Sequence, residues 1–168
     1  MITELARKNL EKQGYRFTGK HSTTKICHWT KSSILSKGSC YKHKFYNIQS
    51  HQCAQMTPNM ICSNMCDFCW RDILTGNNIK MNPLDDPEDI IENTIKEQLK
   101  TISGFGGNKM IDKSYFEMAQ EIKHFAISLT GEPTMYPRLG ELIQGLNKRN
   151  ISSFLVTNGQ YPDSIEKL

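Results

Sequence analysis

The chain has 168 residues, of which 38% are hydrophobic and 23% are charged, a composition typical of one globular domain large enough to bury a core. No apolar run approaches the roughly 20 residues that a membrane span requires, and residues 1–13 lack the apolar segment of a signal peptide. We therefore expect no membrane-spanning segment in this sequence. We expect a cytoplasmic protein with no membrane partner, in which the six cysteines are reduced and favour metal binding over disulfides.

The formal net charge of +4 is distributed unevenly along the chain. Residues 1–51 contain ten Lys or Arg against two Asp or Glu, whereas residues 52–168 contain eleven against fifteen. A basic region of this kind is typical of polyanion binding, although a solvated lysine-rich surface explains it equally well. The change in charge and in pattern divides the chain into a basic amino-terminal extension, residues 1–52, and a core, residues 53–168.

The extension begins with a predicted helix, after which the sequence shows no hydrophobic periodicity. Residues 1–13 are expected to form a charged amphipathic helix. Residues 14–52 show no clear period, and a basic stretch of this length needs an organiser such as a bound metal, or else it is disordered. A strand is predicted over residues 53–60, at the start of the core.

Residues 86–103 carry the clearest helical pattern in the chain. Asp86 can cap the helix, Pro87 suits its first position, and Gly104 offers a left-handed stop. Four apolar side chains recur with the helical period and predict the buried face. These are Ile91, Ile95, Leu99 and Ile102.

The rest of the core alternates between strands and helices. Strands are predicted over residues 124–129 and 151–156, a helix lies between them, and residues 162–168 begin another helix. This alternation predicts right-handed crossovers and a parallel sheet. Three strands cannot close a barrel, so the core is expected to be truncated after the third strand.

Three polar motifs follow the three predicted strands. In parallel α/β proteins, ligands bind beyond the carboxyl ends of the strands, so we expect these motifs to share one site. They comprise residues 62–69, 130–133 and 157–159.

Cys62, Cys66 and Cys69 lie on one short loop with C-x3-C-x2-C spacing. Three thiolates on such a loop suit a 4Fe–4S cluster and leave one iron open for a small chelating ligand. A zinc knuckle is the alternative, but zinc sites favour paired C-x2-C spacing and four closed ligands. The spacing therefore favours an iron–sulfur cluster.

Cys27, Cys40 and Cys53 form a second set, in which twelve residues separate each neighbouring pair. Buried free thiols are one explanation, because cysteine is among the most buried residue types. A second three-thiolate cluster is the other, and it would organise the otherwise irregular basic segment.

Together these motifs resemble a known family. The C-x3-C-x-Φ-C loop, the Gly131-Glu132-Pro133 element and the Thr157-Asn158-Gly159 strand end resemble the radical S-adenosylmethionine (SAM) superfamily. The C-x12-C-x12-C array, Cys69-Trp70-Arg71 and residues 128–134 are similar to the 4-demethylwyosine synthases, the tRNA wybutosine-synthesising enzymes of archaea and eukaryotes.

The resemblance implies the amino-terminal part of a partial (β/α)6 radical SAM barrel with two 4Fe–4S clusters and SAM as cofactors. By this analogy Cys62, Cys66 and Cys69 hold the catalytic cluster, whereas Cys27, Cys40 and Cys53 hold an auxiliary one in the extension. Glu132 matches an element that contacts the SAM amino group, and Thr157 and Asn158 match a strand end that borders the SAM pocket.

The same resemblance implies the reaction and its partners. The family acts as a lyase that converts N1-methylguanosine of tRNA-Phe and pyruvate into 4-demethylwyosine, with electrons from a reductant such as flavodoxin or ferredoxin. Lys42 matches a lysine proposed to form a Schiff base with pyruvate, although an exposed or phosphate-contacting lysine explains it equally well.

Two other functions remain open from the residues alone. One is a different radical SAM enzyme, such as a glycyl-radical activase, in which the upstream cysteines are only structural. The other is a zinc-stabilised RNA-binding module without catalysis.

Overall fold

The computed structural model describes residues 2–71 and 80–168, and a five-stranded sheet with its strands in chain order lies at its centre. The first three strands pair antiparallel and the last three pair parallel. The chain is therefore α/β, but the sheet is mixed, and not parallel throughout. The strands are β1 (Arg16–Phe17), β2 (Thr23–Thr24), β3 (Cys53–Thr57), β4 (His124–Ile127) and β5 (Ser152–Leu155).

Helices cover both ends of the chain and connect the parallel strands. In the described residues, none of them is both long and apolar enough to cross a membrane. Met1, the first residue of the predicted amino-terminal helix, lies outside the described residues. The helices are α1 (Glu4–Lys12), α2 (His28–Ile34), α3 (Tyr41–Tyr46), α4 (Pro87–Ser103), α5 (Lys113–Met118), α6 (Leu139–Lys148) and α7 (Pro162–Glu166).

Residues 14–52 are more regular than their sequence indicates. They contain β1, β2, α2 and α3, and β2 pairs with β3 of the core. These elements are between two and seven residues long, which is too short for a hydrophobic period to be recognised. Of the two expectations for this segment, an organised chain or a disordered one, disorder was therefore wrong.

The prediction of α4 is confirmed in its position and its start. The Asp86 side chain accepts a hydrogen bond from the Glu88 backbone N–H at 2.9 Å, and Pro87 occupies the first turn. The predicted left-handed stop is wrong, because Gly104 has a φ of −62° and continues the right-handed conformation. β3 ends at Thr57, three residues before its predicted end, since Pro58 follows and has no N–H for the ladder.

The two faces of the sheet have different surroundings. Ala54 and Met56 of β3 pair in register with Phe125 and Ile127 of β4, and all four are buried in the main hydrophobic core. That core also contains apolar side chains of α4 and α6. Because side chains alternate along a strand, Cys53 and Gln55 must point to the opposite face.

A single carboxylate anchors the extension to the core. Asp85, which is nearly buried, accepts hydrogen bonds from the backbone N–H groups of Lys20, His21 and Ser22 at 2.7, 2.9 and 3.0 Å, and from the Ser22 hydroxyl at 2.8 Å. The Tyr136 hydroxyl donates to the Asp85 carbonyl at 2.6 Å. Hydrogen bonds to a buried charged group are among the stronger ones, so this contact, together with the pairing of β2 and β3, holds the extension on the core.

Candidate functional site

A cavity of about 340 Å³ opens at the carboxyl ends of β3, β4 and β5. The three motifs that were expected to share one site all contribute to its wall. The lining side chains from these motifs include Cys62, Cys66, Cys69, Glu132, Thr157 and Asn158. Parallel strands bring their carboxyl ends to one edge of a sheet, which is why residues almost a hundred positions apart meet there.

Residues 57–61, which precede the cysteine loop, are hydrogen-bonded to the turn that follows β4. Thr57 Oγ1 donates to the Thr130 carbonyl, Asn59 Nδ2 donates to the Glu132 carbonyl, and the Glu132 N–H donates to the Ile61 carbonyl, each at 2.7 Å. Gly131 has a φ of +67°, and a Cβ at this position would overlap the backbone of residues 59–61. Glycine is therefore required for the close approach of the two segments.

The Glu132 carboxylate links the ends of β4 and β5. It is 2% exposed and accepts four hydrogen bonds: from the Thr134 N–H at 3.1 Å, the Thr134 hydroxyl at 2.5 Å, the Thr157 hydroxyl at 2.7 Å and the Asn158 N–H at 2.6 Å. Three of these bonds go to Oε1 and only that from Asn158 goes to Oε2, so Oε2 is the oxygen that can accept a further bond from a ligand in the cavity. Thr157 and Asn158 therefore fix the position of the Glu132 side chain in the wall of the cavity.

The sulfur of Cys62 lies among hydrogen-bond donors. The Asn64 N–H is 3.4 Å from Cys62 Sγ, and Asn158 Nδ2 is 3.8 Å from it. The Cys69 N–H donates to the Cys66 carbonyl at 2.9 Å, which closes a turn between the other two ligand candidates. The cysteine loop is thus held against the end of β5 on one side and closed by its own backbone on the other.

The described residues do not contain three or more His, Cys, Asp or Glu side chains that converge on one point as the ligands of a single metal ion do. A cubane cluster binds each thiolate at a different iron, so its ligands surround a volume and do not meet at a point. Three thiols around one cavity of about 340 Å³ therefore fit a cluster better than a zinc ion.

Arg71 is a site residue to which no function was assigned from the sequence. Its Nη2 donates to the Ser128 carbonyl at 2.6 Å, and its guanidinium lies 5.1 Å from the centre of the Trp70 ring. Its Nε is buried and has no hydrogen-bond partner. Arg71 is the only Lys or Arg among the described residues that line the cavity, so it supplies the positive charge of this site. Its sequence signals were its position two residues after the cysteine loop and its place in the Cys69-Trp70-Arg71 element of the family resemblance.

The second set of cysteines also lines one cavity. Cys27 and Cys40 precede the first residues of α2 and α3, and Cys53 is the first residue of β3. Lys42 contributes to the same wall. The space between them is only about 10 Å³, so a cluster could bind here only if the wall moved outward. α3 forms part of that wall and has no buried residue to hold it in the core.

Burial raises the pKa of the Cys53 thiol to about 12, with Lys42 opposing the rise and Cys27 and Cys40 adding to it. Cys53 is therefore a neutral thiol at neutral pH, and a metal that bound there would have to displace its proton. The three side chains are close enough to influence one another, which supports their assignment to one set.

The two cavities adjoin on the same face of the sheet. Gln55 of β3 lines the smaller cavity and Ser128, just after β4, lines the larger one. Gln55 Nε2 donates to Ser128 Oγ at 3.4 Å, so one hydrogen bond separates the two sites. A reaction that used both sets of cysteines would have its reacting groups above this face.

Comparison with known proteins gives consistent similarities. No protein-family model matches the chain. The S-adenosyl-L-methionine-dependent tRNA 4-demethylwyosine synthase of Pyrococcus abyssi is 47% identical over 159 residues, which cover 94% of this chain and 46% of that protein. The corresponding synthase of Mus musculus, TYW1, is 44% identical over 169 residues, which cover 100% of this chain and 23% of that protein.

Two solved structures have the same fold over the length of the chain. The structure of TYW1 with a lysine-pyruvate adduct bound has a TM-score of 0.90 at 40% identity and covers 100% of this chain and 55% of its own. The structure of archaeal TYW1 has a TM-score of 0.81 at 38% identity, with 99% and 56% covered. The chain thus spans about half the length of the archaeal relatives that it matches.

Proposed function

Because the chain belongs to the tRNA 4-demethylwyosine synthase family, we propose that it contributes the catalytic face of a radical SAM lyase that modifies tRNA. The proposed reaction converts N1-methylguanosine of tRNA-Phe and pyruvate into 4-demethylwyosine, with electrons from a flavodoxin or ferredoxin. The observation that carries this proposal is the cavity in which three cysteines meet Glu132 and the end of β5.

Cys62, Cys66 and Cys69 would hold a 4Fe–4S cluster at the larger cavity. When bound, this cluster would supply the electron for reductive cleavage of SAM. Glu132 would accept a hydrogen bond from the SAM ammonium group, since a buried carboxylate is a natural partner for that cation. Thr157 and Asn158 would keep the Glu132 carboxylate in place through the hydrogen bonds that they donate to it.

Arg71 would bind the carboxylate of the same SAM molecule. Two features support this: Arg71 is the only basic residue among the described residues of the wall, and its Nε lacks a partner. An unpaired buried guanidinium nitrogen is costly, and an anionic ligand would satisfy it. Glu132 and Arg71 would then recognise the two charged groups of the amino acid part of SAM.

Arg71→Met is expected to weaken SAM binding by roughly 10- to 150-fold, because a hydrogen bond to a charged group contributes about 1.5–3 kcal/mol. Decarboxylated SAM, which lacks only the carboxylate, is expected to bind the variant and the unmodified chain equally. Isothermal titration calorimetry of the reconstituted protein measures both affinities, and Arg16→Met, at an exposed position outside the cavity, is the control. Equal loss for both ligands would show that Arg71 is only structural.

Lys42 would react with pyruvate on the neighbouring surface. The related structure with a lysine-pyruvate adduct supports this assignment, since that protein matches the chain over its whole length. Lys42 lies in the wall of the second cysteine set, and its Nζ is 5.2 Å from the centre of the Phe154 ring. No carboxylate among the described residues forms an ion pair with Lys42, so its amine is available for reaction.

The two alternatives are less well supported. A zinc-stabilised RNA-binding module needs four ligands around one ion, and the described residues contain no such group. A glycyl-radical activase does not account for relatives that are named tRNA-modifying synthases.

The direct test supplies the reconstituted chain with SAM, pyruvate, a reductant and tRNA-Phe that contains N1-methylguanosine. We expect 4-demethylwyosine among the nucleosides of the digested tRNA, as measured by mass spectrometry, and none when pyruvate is omitted. SAM cleavage without this product would retain the radical SAM assignment and contradict the tRNA reaction.

A further inference from the structure

The short helix α3 presents two different faces. Lys42 and Tyr46, which are four residues apart and therefore neighbours on the helix surface, both lie against Phe154 of β5. Tyr41 and Phe45 form the next pair with the same spacing and are 54% and 68% exposed, while Tyr46 is 59% exposed despite its contact with Phe154. Phe154 thus supports one side of α3, and Tyr41 and Phe45 project from the neighbouring side into solvent.

The surroundings of these rings are strongly basic. Lys44 Nζ lies 5.7 Å from the centre of the Phe45 ring, and Lys42 Nζ lies 5.4 Å from that of Tyr41. Residues 12–66 contain eight Lys or Arg and no Asp or Glu. A protein partner is an unsuitable occupant for such a surface, because lysine is depleted in protein–protein interfaces. Exposed rings among lysines are instead the combination that single-stranded nucleic acids bind.

We propose that Tyr41 and Phe45 form a stacking platform for unpaired bases of an RNA loop, with Lys44 contacting its phosphates. This inference rests on the proposed tRNA reaction and adds the surface that receives the RNA. The reactive lysine proposed above, Lys42, belongs to the same helix, so a loop that stacks on the platform lies within one helical turn of that lysine and of the wall of the second cysteine set.

The chemistry of the target base supplies a physical reason for such a platform. An enzyme that acts on a base must take it out of its stack, and the bases beside it then lose a neighbour. Aromatic side chains can replace the lost contact, since base–aromatic stacking contributes about 1–3 kcal/mol per base. The platform would therefore lower the cost of bringing one nucleotide into the cavity while its neighbours remain ordered.

The test compares two RNAs with two substitutions at one position. The probes are the anticodon stem–loop of tRNA-Phe with N1-methylguanosine and a fully paired RNA duplex of the same charge, with binding measured by fluorescence anisotropy at fixed salt. We expect Phe45→Leu to weaken stem–loop binding roughly 5- to 150-fold, as the loss of one stacked base predicts. Phe45→Trp should retain the affinity, and neither variant should change duplex binding.

Leu5→Ala, at an apolar side chain of α1 that is 72% exposed, is the matched control and should bind both RNAs like the unmodified chain. Stem–loop binding by Phe45→Leu at full strength, or an equal loss for both RNAs, would overturn the stacking inference and leave the tRNA reaction untouched. If the unmodified chain bound neither RNA, the tRNA reaction and the platform would both be contradicted.

Discussion

Anaerobic reconstitution of the chain with iron and sulfide is expected to give a brown protein with about eight iron atoms per chain, as two 4Fe–4S clusters require. The reason is the arrangement of the six cysteines: three line the larger cavity and three line the smaller one. Among the described residues, no cysteine lines both cavities, so each set of three can bind a separate cluster. Iron analysis together with the visible absorbance spectrum measures the result.

Single substitutions should remove the two clusters separately. Cys66→Ala and Cys27→Ala are each expected to lower the iron content to about four, since a cubane that loses one of only three thiolate ligands is poorly retained. Both side chains are partly exposed, so neither change leaves a large cavity in the core. The cluster that remains should keep its absorbance in each variant.

Other iron contents would discriminate between the assignments. Full iron in Cys27→Ala or Cys40→Ala would contradict the second cluster. About four irons in the unmodified chain, with no loss on Cys27→Ala, would mean that the smaller cavity stays closed around free thiols. Zinc in place of iron would contradict the proposed chemistry of both cavities.

Lys42→Ala is expected to abolish covalent capture of pyruvate. A neutral lysine amine condenses with a ketone to an imine with loss of water, and borohydride reduces this imine to a stable secondary amine. After incubation with pyruvate and borohydride, peptide mass spectrometry should show the adduct on Lys42. The expected mass increase is that of one pyruvate less one water plus two hydrogens.

Two further variants separate chemistry from charge. Lys44→Ala removes a lysine from the same helix on the side away from Phe154, and it should retain the adduct on Lys42. Lys42→Arg keeps the positive charge but has no amine that can condense, so it should show no adduct. Modification of Lys44 and Lys42 to the same extent would indicate unspecific reaction of exposed lysines.

Among the described residues of the core, α4, α6 and α7 could be predicted from the sequence because their signals are local, whereas the six-residue α5 was not predicted. Asp86 and Pro87 mark the start of α4 through bonds that lie within the first turn. The buried face of α4 was predicted only in part. Ile91 and Ile102 are fully buried, as expected, but Ile90, Thr94 and Gln98 are buried as well, whereas Ile95 and Leu99 lie at the edge of the core. Burial depends on where the sheet contacts the helix, and helical period alone does not specify that contact.

In the extension, by contrast, local sequence signals did not predict the secondary structure. Nothing local in residues 14–52 predicts two strands and two helices, since β2, α2 and α3 make their contacts with the distant strands β3 and β5, and β1 pairs with β2. Asp85 holds the turn at residues 20–22 from more than sixty positions away. β2 is a strand because β3 offers it an edge to pair with. Tertiary hydrogen bonds, not propensity, determine the structure of this region.

The sequence by itself determined the candidate ligands of the site, since the spacing of Cys62, Cys66 and Cys69 places three thiols on one loop of eight residues. Only the tertiary structure decided which groups surround them. Glu132 accepts hydrogen bonds from donors that follow β5, and Arg71 donates to a carbonyl that follows β4, across separations of 25 to 57 residues. Ligand spacing is a local property that a short segment encodes, whereas the partner of a buried charge depends on which strand ends the sheet brings together.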